Sequence, residues 1–222
     1  MNPLLLAYIF NFLIVNGSVV KYQDMENIEQ VSIIKAVEQN RLEAVEKALK
    51  NGANVNTQDN KKQSLLLIAT KVGNFEMAKL LVFYGADVNI QDEISDSPFL
   101  YAGASGKTAL VKLFLENGAR FDIFNRYNGT ALIPACERGY LETVKLLANT
   151  KGFPIDHVNR LGWTALMEAV ILGNGSKKYQ EVVQELVHAG CNINIPDKNG
   201  VTPLQHAAAM DFKEIAVILK GK

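Results

Sequence analysis

Glu137, Arg138, Arg160 and Glu168 are the residues whose types most invite a chemical role. Paired carboxylates can share acid and base work when a substrate lies between them. A reaction centre needs more than that: a nucleophile with its base, a metal set or a cofactor loop completes a site. The sequence offers only decoys for these parts. Gly106, Lys107 and Thr108 resemble the end of a phosphate-binding loop, but that motif needs a glycine where Tyr101 stands and a strand before it. His157, His188 and His206 lie far apart and show no metal-ligand spacing. Cys136 and Cys191 are the only cysteines, too few for a disulfide framework or a zinc cluster. Cys136 falls in a helix slot that takes small residues, which predicts a buried thiol. Asn16, Asn128 and Asn174 each open a glycosylation acceptor pattern, a short match that arises often by chance. No catalytic, cofactor-binding or metal-ligating residue is assigned, and no cofactor is expected. Glu137, Arg138, Arg160 and Glu168 remain as the alternative: a small-ligand or enzymatic site.

What must position such residues is a packed, neutral chain. Hydrophobic residues make up 48% of the 222, enough to argue against wholesale disorder. Lys plus Arg number 23 and Asp plus Glu number 23. A net charge of zero excludes a broad basic surface of the kind that nucleic acid requires.

The positioning elements recur. The stretch Asp197 to Ala207 carries an Asp, then Gly200, Thr202, Pro203, Leu204 and Ala207 at fixed offsets. The same offsets from Asp59 reach Ser64, Leu66 and Ala69, and from Asp92 reach Ser97, Pro98, Phe99 and Ala102. From Asn125 they reach Thr130, Leu132 and Ala135; from Asn159 they reach Gly162, Thr164, Leu166 and Ala169. The steps between these starts are 33, 33, 34 and 38 residues. Each copy reads as a hairpin turn, a Ser or Thr that caps a first helix, a small residue for close helix approach, a turn glycine and a second apolar helix. Pro98 and Pro203 suit the first helical turn, which needs no amide donor. The longest step comes from extra residues in Asn174 to Gln180, expected as a surface loop.

This period and signature resemble the ankyrin-repeat family over roughly residues 31–220. The stretch Gly162 to Leu166, with Glu168 and Ala169, is similar to small single-domain bacterial members. The resemblance implies an all-α solenoid of stacked antiparallel helix pairs joined by β-hairpin turns. It divides 25–222 into repeats at about 31–58, 59–91, 92–124, 125–158, 159–196 and 197–222, referred to below as the first to sixth. It also implies a non-enzymatic module that binds another protein on its concave side, with no nucleic acid and no membrane partner, as a monomer. The family's contact positions are the hairpin tips and the ends of the first helices. In the early repeats these carry polar residues of mixed charge, such as Lys61, Glu93, Asp96 and Lys71. In the late repeats they are Arg126, Tyr127, Glu137, Arg138, Arg160, Leu161, Trp163, Ile171, Leu172 and Met210. Trp163 is expected to be exposed at its tip, the other reading being a ring folded down over Leu161.

The first 24 residues are different material. Leu4 to Val15 is an apolar run broken only by Asn11, too short for a membrane helix and of the length of a secretory signal centre. A cut before Ser18 would export the rest. No Lys or Arg precedes the run, and the other reading is a cytoplasmic protein whose translation begins at Met25.

Overall fold

The computed structural model describes residues 12–15, 18–21, 30 and 32–221. Near the amino terminus, β1 (Phe12–Val15) and β2 (Ser18–Lys21) pair antiparallel, with Phe12 opposite Lys21 and Val15 opposite Ser18. Most of the apolar run, Gly17 at the expected cut and Met25 at the alternative start lie outside the described residues.

From residue 32 on, the chain is a stack of helix pairs. The first pair is α1 (32–38) and α2 (Leu42–Lys50). The second is α3 (Leu65–Val72) and α4 (Phe75–Phe83), the third α5 (Pro98–Ala104) and α6 (Thr108–Leu115). The fourth is α7 (Leu132–Glu137) and α8 (Leu141–Ala148), the fifth α9 (Ala165–Ile171) and α10 (Lys177–His188). The sixth is α11 (Pro203–Ala209) and α12 (Lys213–Lys220). First helices pack on first helices and second on second, each mainly against its neighbours in sequence order. The solenoid of stacked antiparallel helix pairs read from the sequence is the fold observed.

Local chemistry sets each helix start. Ser64, Ser97, Thr164 and Thr202 have extended backbones, and each side chain accepts from the amide three residues on. Thr202 and Gln205 complete a reciprocal capping box. The fourth repeat departs from the expected cap. Its helix starts at Leu132, Ala131 holds the cap position, and no side chain caps it. The cause is Pro134. In the other four copies the equivalent amide, on Ile68, Tyr101, Glu168 or His206, closes the first turn onto the capping residue's carbonyl. Proline has no amide to donate, so the turn at Thr130 does not close and the helix begins later.

Packing is close where the sequence is small. Ala69, Ala102, Ala135, Ala169 and Ala207 are wholly buried along the column of first helices. Leu66, Met77, Leu81, Phe114, Leu132, Leu147, Leu166, Leu186 and Ile215 fill the space between the two layers. The extra residues of the fifth repeat do not form the expected free loop. Lys177 to Gln180 become the first turn of α10, which runs 12 residues. Tyr179 sits at helical spacing from Val182, Val183 and Leu186, so its half-buried ring extends the buried stripe. Its hydroxyl donates to the Glu137 carbonyl at 2.8 Å, which ties the fifth repeat to the fourth.

Candidate functional site

The hairpin tips owe their shape to the residue that opens each repeat. Asp59 Oδ1 accepts from the amides of Lys61 and Gln63 at 2.9 and 2.8 Å. Asp92 does the same for Ile94 and Asp96, and Asn125 for Tyr127 and Gly129. Asn159 holds Leu161 and Trp163, and Asp197 holds Asn199 and Val201. One short side-chain oxygen satisfies two turn amides, which is why only Asp or Asn opens each copy. Neighbouring tips are also joined: the Glu93 amide donates to the Lys61 carbonyl at 3.1 Å, and the Arg160 amide to the Tyr127 carbonyl at 2.9 Å.

The charges behind the tips follow the same register. Lys71, near the end of α3, bonds Asp92 of the next tip at 3.1 Å; the Asp92 side chain is almost wholly buried and so is paired. Two repeats on, the position of Lys71 holds Glu137 and that of Asp92 holds Asn159, an amide rather than an acid. Asn159 in turn donates Nδ2 to Glu168 Oε1 at 2.7 Å. In the sixth repeat the same nine-residue offset pairs His206 Nε2 with Asp197 Oδ2 at 2.9 Å. His206 is thereby a tip-bracing residue. Glu168 is only 5% exposed. Burial, and secondarily the charge of Glu137, push its pKa up to about 7, while the Asn159 amide pulls the other way. An aspartate at 159 would bring a third carboxylate to this spot; the amide avoids it and supplies a donor instead.

Glu137, Arg138, Arg160 and Glu168 do not assemble into one centre. Glu137 and Glu168 feel each other's charge, but the two arginines are committed elsewhere. Arg138 is exposed and donates Nη1 to the Ala104 carbonyl of the third repeat. Arg160 is exposed and donates Nη1 to the Arg126 carbonyl at 3.1 Å. Two grooves lie between second helices, one around Lys145 and Glu181 and the other around Lys112 and Glu142; none of the four lines either. Cys136 is wholly buried, and desolvation followed by the Glu168 charge holds its thiol well above the ordinary range, so it is no nucleophile. His157 stacks on Phe124 at 4.3 Å, with its Nε2 2.6 Å from the Asn128 carbonyl.

The apolar contact positions are better gathered. Tyr127, Leu161, Leu172 and Met210 are 54%, 50%, 46% and 39% exposed, on three adjacent repeats. Ile171 beside Leu172 is half-buried. Trp163 is half-buried too, not exposed as expected. Its amide is held by Asn159 on the descending arm of the hairpin, while Leu161 occupies the apex. Arg126 lies over the Tyr127 ring, 5.1 Å from its centre. Sequence reasoning missed the Asn159–Glu168 pair and, though it counts Lys198 among the tip contact positions, missed that its Nζ donates to the Arg160 carbonyl at 2.5 Å. Both could have been found by aligning the copies and comparing one offset at a time. Among the described residues no helix is long and apolar enough to cross a membrane.

Comparison with known proteins places this geometry. A family model describing ankyrin repeats in three copies matches residues 6–92 and 99–197. The chain is similar to the crystal structure of an ankyrin repeat domain from Acinetobacter baumannii AYE, with 44% identity and a TM-score of 0.82, over 84% of this chain and 95% of that one. It is similar to the ankyrin repeat protein EF0377 at 38% identity and a TM-score of 0.83, over 86% of this chain and 96% of that one. It also matches the ankyrin repeat protein YahD of Escherichia coli K12, 44% identical over 95 residues, which is 42% of this chain and 47% of that relative. The match thus spans about half the length of that curated relative.

Proposed function

The chain belongs to the ankyrin-repeat family, and from that premise we propose that its fourth to sixth repeats hold a polypeptide partner against the hairpin tips and first-helix ends. Ankyrin repeats are in general protein-interaction modules. The finer reading is that this one binds on the side which ankyrin geometry makes concave, as a monomer and without catalysis. One observation carries it: Tyr127, Leu161, Leu172 and Met210 expose large apolar surface on successive repeats. The fold does not need them apolar, since the corresponding positions of the second and third repeats hold Lys61 and Ser105 as well as the exposed Ile94 and Val72. Apolar anchors ringed by arginines have the make-up of an interface centre. Truncating such an anchor costs binding about 2 kcal/mol or more, whereas an exposed substitution changes folding stability by only about 0.5 kcal/mol.

The test is a partner captured from the host organism and titrated by calorimetry against the wild type and against Tyr127→Ala, Leu161→Ala and Leu172→Ala. Binding weakened by about tenfold or more, at unchanged melting temperature, is expected for at least two of the three. Variants that all bind as tightly as the wild type refute the placement.

A further inference from the structure

Resting on that reading, the arrangement of charge along the tips narrows the class of partner. The residue just after each tip-opening Asp or Asn is Asn60, Glu93, Arg126, Arg160 and Lys198 in turn, so the last three tips present a cation at one repeating position. All three side chains are exposed, and all three lean back by one repeat. Arg126 Nη1 lies 3.6 Å from Asp96 of the third tip. Arg160 Nη1 donates to the Arg126 carbonyl of the fourth, and Lys198 Nζ to the Arg160 carbonyl of the fifth. Arg160 and Lys198 reach the same carbonyl position of the tip before and Arg126 a carboxylate of it, so the three project from one position per repeat, at about the 8–10 Å spacing of packed helix layers.

Each cation also keeps donors in hand. A guanidinium has several N–H groups and an ammonium three, and each of these contacts engages one. Opposing charge near the row comes from Glu93, exposed at the same position of the preceding tip, and otherwise from side chains already engaged. Asp96 is already shared with Arg126, Glu137 is half-buried and Glu168 is buried against Asn159. Asp197 is engaged by His206 and by two tip amides. Arg138, exposed, adds a further positive charge behind the row. Between the cations stand Tyr127 and Leu161.

An extended ligand fits this row only if its carboxylates return at the same interval. A polyproline II chain turns once in three residues and advances about 9 Å in doing so, which brings every third side chain to one face. A β-strand returns a side chain to one face every ~6.6 Å, and an α-helix every ~5.4 Å; both run out of step. We infer that Arg126, Arg160 and Lys198 read an acidic polypeptide segment in polyproline II conformation, with a carboxylate at every third position and apolar side chains packed on Tyr127 and Leu161 between them. Single-stranded nucleic acid is the competing polyanion. It is disfavoured because the chain as a whole carries no net positive charge and the row holds only three cations.

The experiment measures fluorescence anisotropy of labelled probes with the full chain, at about 50 and about 200 mM NaCl, across which screening lengths differ. The probes are the peptide (Glu-Pro-Leu)4, an isomer with its four glutamates consecutive, (Lys-Pro-Leu)4 and a 12-mer of oligothymidylate. The expected result is tightest binding of (Glu-Pro-Leu)4, weakened by salt, and reduced about tenfold or more by the triple change R126E/R160E/K198E, since complementary charge sets both encounter and register. The milder R126Q/R160Q/K198Q set removes the charge without reversing it and is expected to lose less. A melting curve on each variant separates lost binding from lost folding.

Equal or tighter binding of the lysine peptide, of the consecutive-glutamate isomer or of the oligothymidylate overturns the inference. So does no binding of (Glu-Pro-Leu)4, or binding that the folded triple variants retain. If the native partner is still lost in Tyr127→Ala and Leu161→Ala while these peptide results fail, the docking face stands and only its preference for a periodic acidic ligand is rejected.

Discussion

Replacing Glu168 by glutamine should make the protein more stable at neutral and alkaline pH and leave it unchanged in acid. The wild-type carboxyl is buried, 5% exposed, with a pKa raised to about 7 by desolvation and by Glu137. In the unfolded chain it returns to the ordinary glutamate range. The sign follows from proton linkage. Below the unfolded pKa both states hold the proton and the group is neutral in its effect. As pH rises toward 7 the unfolded state ionises first, so stability is lost; above about 7 the loss is complete and constant. Each pH unit between the two pKa values is worth about 1.4 kcal/mol, which puts the whole effect at roughly 3–4 kcal/mol, an upper bound once the buried carboxylate draws in water. Glutamine keeps an acceptor for the Asn159 Nδ2 donor, now at 2.7 Å from the carboxylate, and cannot ionise. The assay is urea unfolding of both proteins at about pH 4 and about pH 8, read as the difference of differences, so that every other titrating group cancels. Glu137→Gln in the wild-type background should shrink the effect, because it removes one of the two causes of the raised pKa. If Glu168→Gln is less stable than the wild type at pH 8, or if the two proteins lose stability in parallel with pH, Glu168 is not ionising in the buried position described.

Two further outcomes are expected. Lys62 adopts a left-handed backbone, φ +59°, at the tip position where the fifth and sixth repeats place Gly162 and Gly200. Left-handed geometry costs a non-glycine residue about 1–2 kcal/mol and glycine's extra unfolded freedom offsets about 0.5–1, so Lys62→Gly should stabilise by up to about 1 kcal/mol in urea unfolding; a loss of stability counts against the strain. At the amino terminus, the apolar run Leu4 to Val15 is proposed as an export signal cut before Ser18; mass spectrometry of the native protein should find Ser18 first, and an amino terminus at Met1 or Met25 rejects export.

The sequence was most legible where one atom has one task repeated. The tip-opening Asp or Asn, the buried Ala of the first helix and the turn glycines fall at constant offsets because each satisfies a local geometric demand. It was least legible where a residue's role depends on the next repeat. Pro134 looks harmless by itself, and only the missing bond to Thr130 shows why the fourth first helix begins late. The extra residues at 174–180 carry loop-forming Asn, Gly and Ser at their start, yet Tyr179 continues the apolar stripe of α10 and draws the segment into helix. Trp163 stands at a tip position by count, but the two amides held by Asn159 put Leu161 at the apex and Trp163 on the returning arm. Glu168 was singled out for its type; its neighbour Asn159, which decides its environment, was read only as a turn residue.

The two ends of the stack use the same positions differently, and that difference is what argues for a binding face at one of them. In the second and third repeats two charged contact positions, Lys71 and Asp96, are consumed by the stack itself. Lys71 neutralises the buried Asp92, and Asp96 is met by Arg126 of the following tip. From the fifth repeat on, the tip cations lean on backbone carbonyls, which orient them without cancelling their charge. At the helix ends the equivalent positions are Val72, Ser105, Arg138, Leu172 and Met210, so an exposed apolar residue stands with such a cation only in the fifth and sixth repeats. Folding alone gives no reason for an uncancelled cation and an exposed apolar side chain to appear together in two successive copies. A ligand that spans those copies gives one, since both features contribute only when something lies across them.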